Sequence, residues 1–109
     1  MAEKTISPQK TKKSGTQVRI VVKHDCGFNN YLAIRGSGAK GSGSGDAPLS
    51  LNWNKGIPLK NTSSDEWVFE CESPNQSCEF KILINDELYE FGNNHVLNPG
   101  KTNYIYPNF

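Results

Sequence analysis

The sequence lacks the features that would assign it to several common functional classes. It has no apolar run near the roughly 18 residues of a transmembrane helix, and residues 1–16 lack the apolar segment of a secretory signal. Its 12 basic and 11 acidic side chains nearly cancel, so the basic footprint of a nucleic-acid-binding domain is missing. We therefore expect a cytoplasmic protein with no membrane or nucleic-acid partner, although secretion without a cleaved signal would leave the same sequence.

Residues that carry catalysis or bind metals are also scarce. The two histidines, His24 and His95, lie outside any nucleophile motif. No CxxC pair is present, which disfavours a zinc site. The glutamates fall on alternating strand-like segments, where they are typical of solvated faces. We expect no catalytic activity, no metal and no cofactor.

The three cysteines leave two possibilities open. Cys71 and Cys78 could face each other across a hairpin, where a cross-strand disulfide is geometrically conceivable. Free buried thiols are favoured for these two residues and for Cys26, because a cytoplasmic protein is kept reduced.

Short alternating segments separated by Gly, Pro and Asn turns fill most of the chain. The alternation places Val18, Ile20 and Val22 on one face of a strand at 17–24. Similar signals predict strands at 31–35, 65–72, 78–84, 87–90 and 104–106. About seven short strands without an amphipathic helix predict an all-β fold, a single antiparallel β-sandwich of the immunoglobulin-like type.

The domain organisation follows from composition. Residues 1–16 are rich in lysine and almost free of apolar side chains, which predicts a disordered basic tail. Residues 17–109 suffice for one β-sandwich domain. The glycine-rich segment 36–48 predicts a flexible loop, and it is no phosphate-binding loop because Lys40 precedes Gly rather than Ser or Thr. A monomer is expected, since natural edge strands are usually protected.

A hairpin at residues 78–95 carries the main candidate site. It combines an apolar strand, an Asn85-Asp86 turn, a second strand with Tyr89 and a polar turn at 92–95. Upstream, Trp53 lies between two asparagines, so it is either a partly exposed stacking ring or a peripheral core residue. Trp67 belongs to the core face of its strand. Exposed rings beside amides suit a sugar, although hot spots for proteins use the same residues.

The order of several segments strengthens the sugar hypothesis. These segments are YLAIRG at 31–36, LNWNKGIPLK at 51–60, DEWVFE at 65–70, EFKIL at 79–83 and YEFGNNH at 89–95. In their order and spacing, residues 18–109 resemble a starch-binding carbohydrate-binding module of the family-twenty type.

This resemblance implies roles for particular residues. Trp53 and Tyr89 would be the stacking rings, and Lys81 and Asn94 their hydrogen-bonding partners. Glu90 would be a nearby edge contact. The family usually has Trp where this chain has Tyr89, so stacking should be weaker, and Pro where it has Asn93. Phe28 and Tyr31 are candidates for a second site because of their position near a loop.

The sequence therefore predicts a noncatalytic module that binds an α-glucan such as starch, glycogen or a maltooligosaccharide. The alternative is a sandwich that binds another protein, with the basic tail and the glycine-rich segment as contacts.

Overall fold

Two β-sheets form the framework of the described chain. The computed structural model describes residues 17–45, 47–73 and 77–109, so the predicted tail at 1–16 and most of the turn at 73–76 lie outside the described residues. Within the described ranges, no helix is long and apolar enough to cross a membrane. The strands are β1 (Gln17–Lys23), β2 (Leu32–Ser37), β3 (Lys40–Ser42), β4 (Leu49–Ser50), β5 (Ile57–Pro58), β6 (Lys60–Ser63), β7 (Glu66–Glu72), β8 (Glu79–Ile84), β9 (Leu88–Tyr89), β10 (His95–Val96) and β11 (Thr102–Ile105).

The first sheet has the strand order β11-β1-β7-β3-β4, and β6 also pairs with β7. Strands β1 and β7 are antiparallel, with Ile20 opposite Phe69. Both side chains are fully buried, and Trp67 is buried on the same face of β7. The predicted alternation of these two strands and the predicted core position of Trp67 are therefore confirmed.

The second sheet has the order β10-β8-β2-β5, and β9 also pairs with β8. Ile34 of β2 lies opposite Ile82 of β8, and both belong to the same buried cluster as Ile20 and Phe69 of the first sheet. Burying each such side chain stabilises the fold by about 1.5–3 kcal/mol. Because a slip of one residue would turn them all to solvent, these side chains fix the register. The fold is a sandwich-like arrangement of two sheets.

The prediction of about seven strands, all antiparallel, was wrong in two respects. Several additional strands, β3 to β6 and β10, are only two to four residues long, too short for alternation to mark them. In addition, β11 runs parallel to β1, with Tyr104 opposite Val21. The chain leaves β10 in the second sheet and crosses through residues 97–101 to the first sheet, where it enters beside β1 in the same direction.

The glycine-rich segment 36–48 was predicted to be one flexible loop, and this was wrong for much of its length. Its start completes β2, and Lys40–Ser42 form β3. A Cβ on Gly41 would collide with the backbone oxygen of Glu70 and with the Cys71 side chain, and one on Gly43 would collide with the Pro58 oxygen. Gly41 and Gly43 are therefore needed because neighbouring backbone approaches them closely.

The three cysteines are free thiols, as favoured from the sequence. Cys71 and Cys78 are buried in the core cluster. Burial raises the pKa of Cys71 to about 12 and that of Cys78 to about 11, so both stay protonated and weakly nucleophilic at neutral pH.

Gly41→Ala should lower the free energy of unfolding by about 1–3 kcal/mol, because the added methyl group has no space between β3 and β7. Gly45→Ala is the matched control, since nothing lies within 4 Å of its Cβ position, and it should change stability by at most about 0.5 kcal/mol. Urea unfolding at equilibrium measures both. Equal effects of the two substitutions would contradict the close approach of the strands.

Candidate functional site

The candidate site lies on the outer face of the second sheet, the face turned away from the core. Arg35 of β2 is opposite Lys81 of β8, and Tyr89 of β9 is opposite Leu83 of β8. Paired residues share a face and successive residues alternate, so these side chains lie opposite the core-facing Ile34. We define the outer face by Ala33, Arg35, Lys81, Leu83 and Tyr89.

The loop that contains Trp53 covers part of this face. Ala33 and Leu83 are on the outer side of the sheet and yet fully buried. A Cβ placed on Gly56 would lie 3.0 Å from the Cβ of Ala33, so the loop of residues 52–56 packs directly over β2. Trp53 itself is partly exposed.

Arg35 connects this loop to Tyr89. Its Nη1 donates to the backbone oxygen of Trp53 at 3.1 Å and to the Tyr89 hydroxyl at 3.2 Å. Its Nε donates to Oδ1 of Asp86 at 2.8 Å, and its Nη2 donates to the Asp86 backbone oxygen at 3.1 Å. The guanidinium carbon also lies 5.7 Å from the centroid of the Tyr89 ring. Arg35 therefore contacts the backbone of Trp53 and the side chain of Tyr89.

Asp86 reinforces this connection from the hairpin turn. Asn85 and Asp86 both have a φ of 55°, and the Glu87 N–H donates to the Ile84 oxygen at 3.0 Å, which is the pattern of a type I′ turn. The predicted turn is confirmed. The Asp86 carboxylate also accepts a hydrogen bond from the Gly56 N–H at 3.0 Å. The loop of residues 52–56 is thus bonded at Trp53 by Arg35 and at Gly56 by Asp86.

The ion pair between Arg35 and Asp86 is partly shielded from water, with side-chain exposures of 18% and 22%. The hydrogen bond from Arg35 holds the pKa of Asp86 below its ordinary value of 3.8, and the Gly56 N–H acts in the same direction. The hydrogen bond to Asp86 raises the pKa of Arg35. Both groups therefore stay charged at neutral pH.

Lys81 and Glu90 hold the second part of the hairpin. The Lys81 ammonium donates to the Glu90 backbone oxygen at 2.8 Å. The Glu90 carboxylate accepts from the Ile82 N–H at 2.7 Å and lies 2.8 Å from Nε2 of His95. Strands β9 and β10 pair with the same edge of β8 on either side of Ile82, so this carboxylate fills the gap between them.

The predicted site residues consequently occupy different positions. Tyr89 and Lys81 lie on the outer face, and Trp53 lies in the loop that packs over it. Asn94 is exposed at the far end of the outer face, where its side-chain amide donates to Oε1 of Glu79 at 3.1 Å. Glu90, which the resemblance implies as an edge contact, is only 3% exposed and is hydrogen-bonded within the chain.

Two residues of the site were missed by sequence reasoning, Arg35 and Asp86. An arginine at an outward strand position and an aspartate in a turn are ordinary solvated residues in a sequence. Their pairing becomes visible only when the register of β2 against β8 is known. The Asn85-Asp86 turn was the one available signal, because it fixes where the hairpin reverses.

The two candidates for a second site lie in different places: Phe28 lines a separate cavity, and Tyr31 lies beside the hairpin turn at Asn85. Phe28 is almost fully exposed, and it lines a cavity of about 330 Å³ together with Asn61 and Trp67. The Tyr31 side chain is about one-third exposed, and its backbone N–H donates to the Asn85 side chain at 3.0 Å.

Among residues 17–45, 47–73 and 77–109, no group of three or more His, Cys, Asp or Glu side chains is arranged to hold a metal ion. Comparisons of the chain with protein-family models, curated proteins and solved structures find no match. The outer face must therefore be interpreted from its own geometry.

Asp86→Asn should destabilise the fold by about 1–2 kcal/mol near pH 7, because the substitution removes the charge that is hydrogen-bonded to Arg35. The effect is moderate because both side chains keep some access to solvent. A depressed carboxyl pKa stabilises the folded state above pH 3.8, and this contribution is lost as the pH falls through the lowered pKa. The difference between wild type and Asp86→Asn should therefore shrink below pH 3.8.

Urea unfolding at pH 7 and at pH 3 measures this difference. Glu70→Gln is the matched control, because Glu70 pairs with Arg19 while both side chains are more than half exposed. Glu70→Gln should lower the free energy of unfolding by at most about 1 kcal/mol. A difference between wild type and Asp86→Asn that stays constant between the two pH values would contradict the assignment.

Proposed function

We propose that this chain is a noncatalytic α-glucan-binding module and that starch, glycogen or a maltooligosaccharide binds on the outer face of the second sheet. The observation that supports this most strongly is that Arg35 bonds both the backbone of Trp53 and the hydroxyl of Tyr89. The segment that carries the partly exposed Trp53 is thereby held beside the Tyr89 ring, as a two-ring sugar site requires.

The chemistry of the face suits a polar ligand without charge. A sugar ring offers C–H groups on its faces and hydroxyl groups at its rim, so it stacks on an aromatic ring and forms hydrogen bonds around it. Tyr89 is 42% exposed and supplies such a ring. The charges of Arg35 and Lys81 are engaged by Asp86 and by the Glu90 oxygen. The face therefore offers apolar area and hydrogen-bonding groups to a ligand.

A module of this kind acts by tethering. It raises the local concentration of an attached or associated activity on a polysaccharide, and modest affinity is sufficient when several units bind. Tyr89 has a smaller ring than the Trp usual in the family that the sequence resembles, which fits a modest affinity. The immunoglobulin-like strand arrangement, the monomeric state and the cytoplasmic location belong to the same proposal.

Binding to another protein is the second candidate, and the end of the first sheet favours it. Within the described chain, β11 pairs only with β1, and Tyr104 and Tyr106 at this edge are both exposed. Exposed tyrosines are enriched at protein interfaces, and an end strand can pair with an added strand.

Trp53→Ala and Tyr89→Ala should each weaken binding of maltoheptaose by at least about tenfold, because each removes one stacking ring. Tyr104→Ala is the matched control, since it removes an exposed ring from the other sheet. It should leave the affinity unchanged. Isothermal titration calorimetry, with β-cyclodextrin as a second ligand, measures the dissociation constants.

Absence of binding by the wild type at millimolar sugar would contradict the glucan proposal and leave the protein-binding candidate. Unchanged affinity of Trp53→Ala would also contradict it. Loss of binding only in Tyr104→Ala would move the sugar site to the first sheet.

A further inference from the structure

We infer that Arg35 is the positioning residue of the outer face and that it makes the Tyr89 hydroxyl a hydrogen-bond donor toward the ligand. The identity of the ligand rests on the proposed function. The positioning of Trp53 and Tyr89 rests on the geometry alone.

The guanidinium of Arg35 is suited to joining separate segments. It donates four hydrogen bonds to three parts of the chain: two to Asp86, one to Trp53 and one to Tyr89. Its planar fork carries five N–H donors in fixed directions, whereas a lysine ammonium is a single point charge on a flexible stem. Arg35 also lies on β2, where it is paired with Lys81 of β8, and the preceding residue Ile34 is paired with Ile57 of β5.

The hydrogen bond to Tyr89 determines the direction of the phenolic proton. Arginine has donors and no acceptor, so the Tyr89 oxygen must be the acceptor in this bond. The Tyr89 proton then points away from Nη1. In the part of the chain that the structure describes, no hydrogen bond from the Tyr89 hydroxyl to an acceptor is found. The proton is therefore available to an oxygen of a ligand at the rim of the ring.

This arrangement gives Tyr89 two functions, a stacking surface and a directed donor. A sugar that stacks on the ring brings hydroxyl and ring oxygens to its edge, where one of them can accept this proton. The hydrogen bond that the Tyr89 hydroxyl donates then offsets the smaller stacking area of the tyrosine ring. A tryptophan at this position has no hydroxyl group and cannot make this contact. Tryptophan carries only an N–H donor and would leave Nη1 of Arg35 without one of its acceptors.

The test compares Arg35→Lys, Tyr89→Phe and Tyr89→Trp, with Arg19→Lys as the matched control. Arg19 also pairs with a carboxylate, that of Glu70 on the neighbouring strand, but this pair lies on the first sheet and is exposed to solvent. We expect Arg35→Lys and Tyr89→Phe to weaken maltoheptaose binding by roughly tenfold. Tyr89→Trp should bind no more tightly than wild type despite its larger ring, and Arg19→Lys should bind like wild type.

A second measurement needs no ligand and separates local positioning from loss of fold. In ¹⁵N-labelled protein without sugar, the indole N–H resonance of Trp53 should shift in Arg35→Lys and stay in place in Arg19→Lys. Spectra that retain the resonances of the core show that the variant is folded. The Tyr89→Phe variant retains the ring and all of the Arg35 bonds to Trp53 and Asp86, so it tests the donor even where Arg35→Lys fails to fold.

Tighter binding by Tyr89→Trp, or wild-type affinity in Tyr89→Phe, would overturn the donor role, because the ring alone would then account for binding. An unmoved Trp53 resonance in folded Arg35→Lys would overturn the positioning role. If wild type binds neither maltoheptaose nor β-cyclodextrin, the proposed function fails, and the Trp53 resonance still decides whether Arg35 positions the loop.

Discussion

The hydrogen bonds between Arg35 and Asp86 connect the two parts of the candidate site to each other and to the second sheet. Arg35 lies on β2, a strand in the interior of that sheet, and Asp86 lies in the turn between β8 and β9. Both side chains are mostly shielded, so removing either one would leave the other charge poorly solvated and without its partner. The positions of the Trp53 loop and of Tyr89 therefore depend on this pair. For the proposed glucan, a face already held by these hydrogen bonds would lower the entropic cost of binding.

The sequence predicted the parts of the fold in which long strands bury large side chains. In β7 the alternation extends over seven residues, and in β1 it is interrupted only at Val21, so the core faces were assigned correctly. The Asn85-Asp86 turn was recognised because few residues tolerate a positive φ. The strands of two to four residues gave no periodic signal. The glycine-rich segment was misinterpreted because flexibility and close packing favour the same residue, and only the proximity of β3 to β7 distinguishes them.

The sequence directed attention to the candidate site through its aromatic residues. Trp53 and Tyr89 stand among turn-forming residues, and the order of the segments drew attention to Lys81 and Asn94. Arg35, which connects Trp53 to Tyr89, was not found because its partners lie 18 to 54 positions away in the sequence. The burial of Glu90 was also not visible. A carboxylate that binds the N–H of a neighbouring strand has the same sequence context as one in water.

The account claims that a neutral glucan binds across the Trp53 loop, Tyr89 and Lys81. Titration of ¹⁵N-labelled protein with maltoheptaose, followed by amide and indole chemical shifts, tests this claim most directly. The account predicts a contiguous set of shifts at residues 52–56, 81, 89 and 94, with resonances near Tyr104 unchanged. Shifts confined to the first sheet, or no shifts at millimolar sugar, would contradict it.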